Sequence, residues 1–276
     1  MRPPRTVTHV SSSHSDSLLA VPGSRPRVRD ELGNRTPDHR SRRLLRILDL
    51  ASCIVSLNTA LMPQRPFVRL YLVRHGEVDA NREMRYLGRR DDPLNTNGRR
   101  QARRLAEAFT HLPVDAVRTS PLARARCTAE AIIDATGAAF QDDDRLLELD
   151  FGSWEGLTRK EVLGRDRDGL EIWERDPSLP TPAGDSLELV RDRVVHLADE
   201  LLSVHAGGSV VLVSHVGPVK TLLNAALGLQ FGTPSRIFLD PATISVVDWS
   251  AEPVVRLINS HAHLGWASPR WLDQRI

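Results

Sequence analysis

Leu72-Val73-Arg74-His75-Gly76 and Leu212-Val213-Ser214-His215-Val216-Gly217 end two apolar runs in the same way. Each places a histidine at the carboxyl end of a strand-like segment, with glycine one or two residues further on. In open α/β sheets that edge is where ligands bind, and glycine lets the backbone approach an anion closely. A lone histidine at a strand end is usually a hydrogen-bonded structural residue. Two at equivalent edges, one of them preceded by arginine, point instead to a shared site.

From Phe67 onward, strand-like and helix-like patterns alternate. That alternation predicts an α/β fold of three layers, α/β/α, with a mainly parallel open sheet and helices on both faces. The first strand is predicted over Val68 to Val73. Asn95 stands as a helix cap before Gly98 to Phe109, where Ala102, Leu105, Ala106 and Phe109 recur at helical spacing. A strand follows near Ala116 to Thr119, then a helix over Leu122 to Ala135 ended by Gly137. Ser186 to Val204 reads as a long amphipathic helix leading into a strand at Ser209 to Val213. A further helix is predicted over Pro218 to Leu227, proline being tolerated in a first turn. Ile237 to Leu239, Ile244 to Trp249 and Val254 to Ile258 read as the last strands.

The 276-residue chain divides unevenly in charge. Residues 1–62 hold ten arginines against five acids, which leaves the remainder mildly acidic within a total of +2. Such a remainder argues against a nucleic-acid surface, which needs a concentrated basic face. Residues 1–43 lack the aliphatic content to offset ordering entropy and are expected to be disordered. The apolar stretch from Leu44 to Met62 is interrupted by Arg46 and Asp49 and is too short for a clean membrane span. The domain is therefore expected over residues 63–276, with 1–62 a disordered or non-native extension and Met62 the natural start. Cys53 and Cys127 are the only cysteines, which indicates no disulfide framework and allows a reducing, cytoplasmic setting. Cys127 is expected to be buried and inert.

Arg74-His75-Gly76-Glu77 resembles the signature of the phosphoglycerate mutase-like branch of the histidine phosphatase superfamily. Asn81 lies six residues after His75, as in that family, and Gly88, Pro93-Leu94 and Gly98 resemble its loop into the first helix. Thr119-Ser120-Pro121-Leu122-Ala123-Arg124-Ala125 resembles the segment with a second phosphate-binding arginine. Leu147 to Gly152, with Trp154-Glu155-Gly156, resembles the loop that supplies the general acid. Pro182 to Ser186 and the His215 strand complete a similarity covering about residues 67–263.

The resemblance implies a phosphohistidine mechanism. A neutral imidazole attacks a dianionic phosphomonoester without charge repulsion, which suits His75, provided a hydrogen bond to its other ring nitrogen fixes the tautomer. A backbone carbonyl in the Gly76 loop is the candidate partner. Arg74 and Arg124 would hold phosphoryl oxygens through planar forks, with His215 and Asn81 donating further hydrogen bonds. Glu148, its pKa raised by neighbouring anions, would protonate the leaving alkoxide and then activate water. Arg126, His196 and His205 are expected to face solvent, and His261 and His263 to cap or pack the last strand.

His75 and Glu77 have the H-x-E spacing of a metal pair, but no second ligand motif accompanies them, so neither a metal nor another cofactor is expected. Val216 replaces the aspartate that marks the His-Asp branch of acid phosphatases and phytases, which leaves Glu148 as donor. Asn95 replaces the family's threonine, another capping residue. About 25 residues separate Gly156 from Thr181, shorter than the covering insertion of glycolytic mutases and similar to α-ribazole and broad-specificity phosphatases. The expected activity is hydrolysis of a small phosphomonoester, with no nucleic-acid or membrane partner and a homodimer left open. A cofactor-dependent phosphoglycerate mutase is the first alternative, and a degenerate, non-catalytic anion-binding module the second. Substrate choice is expected to lie in Asp79 to Asp92 and Leu157 to Ser186.

Overall fold

β1 (Val68–Arg74) is buried along almost its whole length, as a central strand covered on both faces must be. The structure, a computed structural model, describes residues 66–229 and 236–265. The expectations for residues 1–62, the Leu44 to Met62 stretch and Cys53 included, lie outside the described residues. From β1 the chain runs through α1 (Asp79–Arg82), α2 (Thr96–Phe109), β2 (Ala116–Thr119), α3 (Ala123–Thr136) and β3 (Ala139–Asp142). Two short 3-10 turns, Asp144–Leu146 and Gly152–Trp154, precede α4 (Arg159–Arg165) and α5 (Arg167–Arg175). Then follow α6 (Leu187–Val204), β4 (Ser209–Ser214), α7 (Val216–Ala226), β5 (Ile244–Trp249) and β6 (Val254–Ser260).

The six strands lie in the order β3-β2-β4-β1-β5-β6. The first four are mutually parallel, while β5 pairs antiparallel with β1 and β6 antiparallel with β5. Side chains alternate across this sheet. Leu70, Leu72, Val210 and Leu212 face α6 and α7, meeting Leu197, Leu201, Leu222 and Leu223. Tyr71, Val73, Val211 and Val213 face α2 and α3, meeting Leu105, Phe109, Ala129 and Ile132. The expected three layers are thus formed by the alternation of two strands. Among the described residues no helix is long and apolar enough to cross a membrane.

Local signals set the helix ends. Asn95 Oδ1 accepts from the Gly98 amide at 2.8 Å, so the residue in the threonine position does cap α2. Ser186 caps α6 through the Leu189 amide, and Gly137, in the left-handed region at φ 67°, ends α3.

Two readings are corrected, and one strand is added. Ile237 to Leu239 is not a strand: the Leu239 carbonyl accepts from Arg74 and the Asp240 amide donates to Asn259 Oδ1, so these backbone groups are spent outside the ladder. Cys127 is exposed. It lies out of phase with Arg124, Ala125, Thr128 and Ala129, the buried side of α3. β3 was not anticipated, because Ala139, Phe140 and Gln141 are all exposed on an edge strand with no apolar alternation to mark them.

Candidate active site

β1 and β4 are adjacent and parallel, with Val73 opposite Val213 and Arg74 opposite Ser214. The two histidines therefore leave the sheet at the same level. His75 donates its amide to the Ser214 carbonyl at 2.9 Å, and the two imidazole centroids stand 5.0 Å apart. β2 pairs with the far side of β4, placing Thr119 opposite Val213. This brings Ser120 and the start of α3 to the same edge.

The backbone of the His75 loop is fixed by close contact. A Cβ on Gly76 would stand 2.6 Å from the Gly98 carbonyl oxygen, so two segments meet here through bare backbone. The Gly76 amide donates to Thr128 Oγ1 at 3.0 Å, tying the loop to α3. Glu77 accepts from Asn95 Nδ2 at 2.9 Å and donates its amide to Gln101, so it serves the loop.

His75 Nδ1 lies 2.7 Å from the Gly76 carbonyl. A carbonyl only accepts, so the proton is on Nδ1 and the lone pair on Nε2. Burial holds His75 neutral, well below the usual imidazole pKa, and the Arg124 and Arg74 charges add to the effect. His215, fully buried, is driven the same way by burial, then by Arg124 and His75. Its Nε2 meets Ser120 Oγ at 2.8 Å, whereas its buried Nδ1 has no partner among the described residues.

Arg124 comes from the first turn of α3 yet is 0% exposed. Its two terminal nitrogens each donate to a carbonyl, of Arg90 and of Gly88, both at 2.7 Å. Gly88 is itself held by Glu155, through its amide at 2.8 Å. Five N–H groups on a guanidinium, two of them spent, leave three, among them a buried Nε with no partner among the described residues. The fork is thus oriented by the protein rather than free to swing. Arg74 is braced similarly by the Leu239 carbonyl at 2.5 Å. Asn81, half-buried, accepts from the Val78 amide at 3.2 Å and lines a recess of about 220 Å³ with Arg74 and Tyr86.

Glu148 follows the first 3-10 turn and is buried at the amino end of α7. Oε1 accepts from the Leu149 amide at 2.8 Å and the Gly217 amide at 3.1 Å. Burial pushes its pKa up, against the opposing pull of these amides and of Arg124 and Arg193. The expected direction holds, but its cause is desolvation and not a crowd of anions. Arg193 donates to the Glu148 and Arg145 carbonyls, and Ser214 Oγ to the Leu146 carbonyl, which fixes the segment bearing the acid.

All six residues singled out from sequence thus come to one edge of the sheet, with Asn81 at its rim. Glu148 opens into a cleft of about 450 Å³ whose walls include Phe151, Trp173, Leu187 and Lys220. Ser120, Arg193, Trp173 and Lys220 were not anticipated. Of these, Lys220 had a signal: it is the single charge in Val-Gly-Pro-Val-Lys-Thr-Leu-Leu-Asn-Ala-Ala, the whole of α7. Away from the site, His261 pairs with Asp240 at 2.9 Å and His263 Nε2 meets the Ala242 carbonyl, as packing residues of the last strand. Arg126 and His196 are exposed, and His205 is half-buried.

Residues 70–260 match the family model described as histidine phosphatase superfamily (branch 1). The chain is 38% identical over 199 residues to a bifunctional protein of Mycobacterium tuberculosis, covering 71% of this chain but only 55% of that protein. It is 32% identical over 200 residues to phosphoserine phosphatase 1 of Hydrogenobacter thermophilus, covering 72% of this chain and 95% of that one. A probable phosphoglycerate mutase of Klebsiella pneumoniae is 35% identical over 191 residues, covering 67% and 87%. Among solved structures, a mycobacterial glucosyl-3-phosphoglycerate phosphatase complexed with VO3 superimposes with a TM-score of 0.65 at 29% identity, covering 70% of this chain and 99% of that one.

Proposed function

The chain belongs to branch 1 of the histidine phosphatase superfamily, and from that premise we propose that it hydrolyses small phosphomonoesters through a phosphohistidine at His75. The observation that carries the reading is a pair of buried nitrogens with no partner among the described residues, Arg124 Nε and His215 Nδ1, the latter a donor when the Ser120 hydroxyl donates to His215 Nε2, beside a histidine whose Nε2 lone pair is held ready. An orphaned buried polar group costs about 1–3 kcal/mol, and a phosphoryl group would discharge both.

His75 Nε2 attacks phosphorus as the bond to the ester oxygen breaks, and Glu148 gives its proton to that oxygen. Arg74, Arg124 and His215 stabilise the charge spreading over the equatorial oxygens, with donors of this kind worth ~3 kcal/mol each. Asn81 adds a contact from the rim. Water then attacks the phosphohistidine, losing a proton to the Glu148 carboxylate as the phosphorus–nitrogen bond breaks, and inorganic phosphate leaves.

The test is direct. Native protein mixed with substrate and quenched without acid should carry phosphate on His75 by mass spectrometry, and His75→Ala should abolish turnover. Phosphate on another side chain would overturn the mechanism. For the mutase alternative, 3-phosphoglycerate with catalytic 2,3-bisphosphoglycerate should give little 2-phosphoglycerate; isomerisation outpacing phosphate release would replace this reading.

A further inference from the structure

In the mechanism proposed above the alcohol departs from phosphorus on the side of its proton donor Glu148, so the chamber that Glu148 lines is the one that would receive the alcohol part of the substrate. Its walls are mainly apolar, with Leu149, Phe151, Trp173, Pro177 and Leu187 among them. Three charged residues interrupt them: Glu148, Glu174 and Lys220. Glu174 is already neutralised, accepting two hydrogen bonds from Arg159 at 2.6 and 2.7 Å. Lys220 is not. Among the described residues its ammonium has no hydrogen-bond or ion-pair partner, although it sits on a helix whose other side chains are almost all apolar.

Lys220 also lines the smaller recess that contains Arg74 and Asn81. It therefore stands on the boundary between the phosphoryl end and the leaving-group chamber. The position is costly: burial first, then the Arg74 charge, push its pKa down to about 8, with Glu148 opposing only in part. A cation kept there with no ion-pair partner among the described residues is suited to an anion brought by the ligand.

Resting on the hydrolase reading above, we propose that Lys220 is a specificity-determining residue that receives a second anionic group, a carboxylate in the simplest case, on the alcohol portion of the substrate. The hydrocarbon body of that alcohol lies against Phe151 and Trp173. The substrate class is thus a phosphomonoester of an apolar-bodied hydroxy acid, rather than of a neutral alcohol.

Three esters matched in size separate this from a general role for Lys220: phenyl phosphate, 3-carboxyphenyl phosphate and 3-(aminomethyl)phenyl phosphate. With the full chain, kcat/KM for the carboxylate ester should exceed that for phenyl phosphate by about tenfold, the ratio given by about 1.4 kcal/mol of added binding. Lys220→Met should bring the ratio close to one, and Lys220→Glu should make the aminomethyl ester the best of the three. Circular dichroism of each variant checks that it is folded. Equal use of the three esters by the native chain, or a Lys220→Met loss shared equally by neutral and carboxylate esters, would overturn the proposal and leave the hydrolase reading standing. If no ester is turned over, the hydrolase reading falls, and calorimetric Kd values for the same esters decide the role of Lys220. Tenfold tighter binding of the carboxylate ester, lost in Lys220→Met, supports the proposal; equal Kd values end it.

Discussion

Replacing Glu148 by Gln removes one ionisable proton and almost nothing else. Gln Oε1 can keep both bonds that orient the carboxylate, from the Leu149 amide at 2.8 Å and the Gly217 amide at 3.1 Å. In the proposed mechanism what is lost is general acid catalysis, typically ~10²–10⁴-fold. Alkyl phosphates, whose alkoxide cannot leave unprotonated, should lose that much in the enzyme-phosphorylation step. p-Nitrophenyl phosphate should lose less than about tenfold, because nitrophenolate leaves without a proton. Pre-steady-state bursts isolate the step. The same variant has a stability signature. Burial raises the Glu148 pKa above its unfolded value of ~4.3, so the ionised acid is a penalty to the fold. That penalty is fully present above the folded pKa and vanishes as pH falls below the unfolded one, at about 1.4 kcal/mol for each tenfold difference in proton affinity between the two states. Glu148→Gln should therefore gain melting temperature relative to native at pH 8 and lose the gain near pH 4. Equal kinetic losses for both esters would show that Glu148 positions water or substrate; a pH-independent melting difference would show that burial does not raise its pKa.

Three further outcomes follow from the same geometry. Gly217→Ala should reproduce the ester-selective loss of Glu148→Gln, since an added Cβ would run into the Glu148 carboxylate; a loss equal across esters would mean that the two are not coupled. Ser120→Ala removes the 2.8 Å partner of His215 Nε2 and should lower kcat about 10–100-fold, at a stability cost of ~1–3 kcal/mol, with Ser120→Thr restoring most activity; native kcat in the alanine variant would remove Ser120 from the positioning of His215. Lys220, at about 8 in the fold against ~10.4 unfolded, penalises folding fully below pH 8 and not at all above the unfolded value. Lys220→Met should thus add about 1–3 kcal/mol at pH 7, from ~1.4 kcal/mol per tenfold change in proton affinity discounted for partial exposure, and little near pH 10.5; a gain that survives at high pH would point to packing instead.

The parts of the site readable from sequence are those built by one segment at one strand end. The runs before His75 and His215 announce their own register because both are apolar and rich in valine, both end in histidine and glycine, and parallel neighbours must keep step. Cys127 is misjudged when residue type alone decides its burial, although the phase of α3, with 124, 125, 128 and 129 inward, already turns it out. Other features are set from a distance. Nothing local distinguishes Arg124 from a solvated helix arginine; what buries it is the pair of carbonyls at Gly88 and Arg90, more than thirty residues earlier. Ile237 to Leu239 has a strand's composition, but its carbonyl is taken by Arg74, 165 residues away in sequence. The phosphoryl end is therefore legible because its chemistry is written in short motifs, with one contact network completing it from outside. The proposed leaving-group chamber is assembled from residues 148–151, 173–177, 187 and 216–220, four segments of which only the first and the start of the last fall within a short motif. The loop from Asp79 to Asp92 and the segment from Leu157 to Ser186 do contribute walls, through Asn81 and Tyr86 on one side and Trp173 and Pro177 on the other. Lys220, the charged residue that lines both recesses, comes from α7 instead, and in the proposal above it adds to those two segments a contact that neither of them carries.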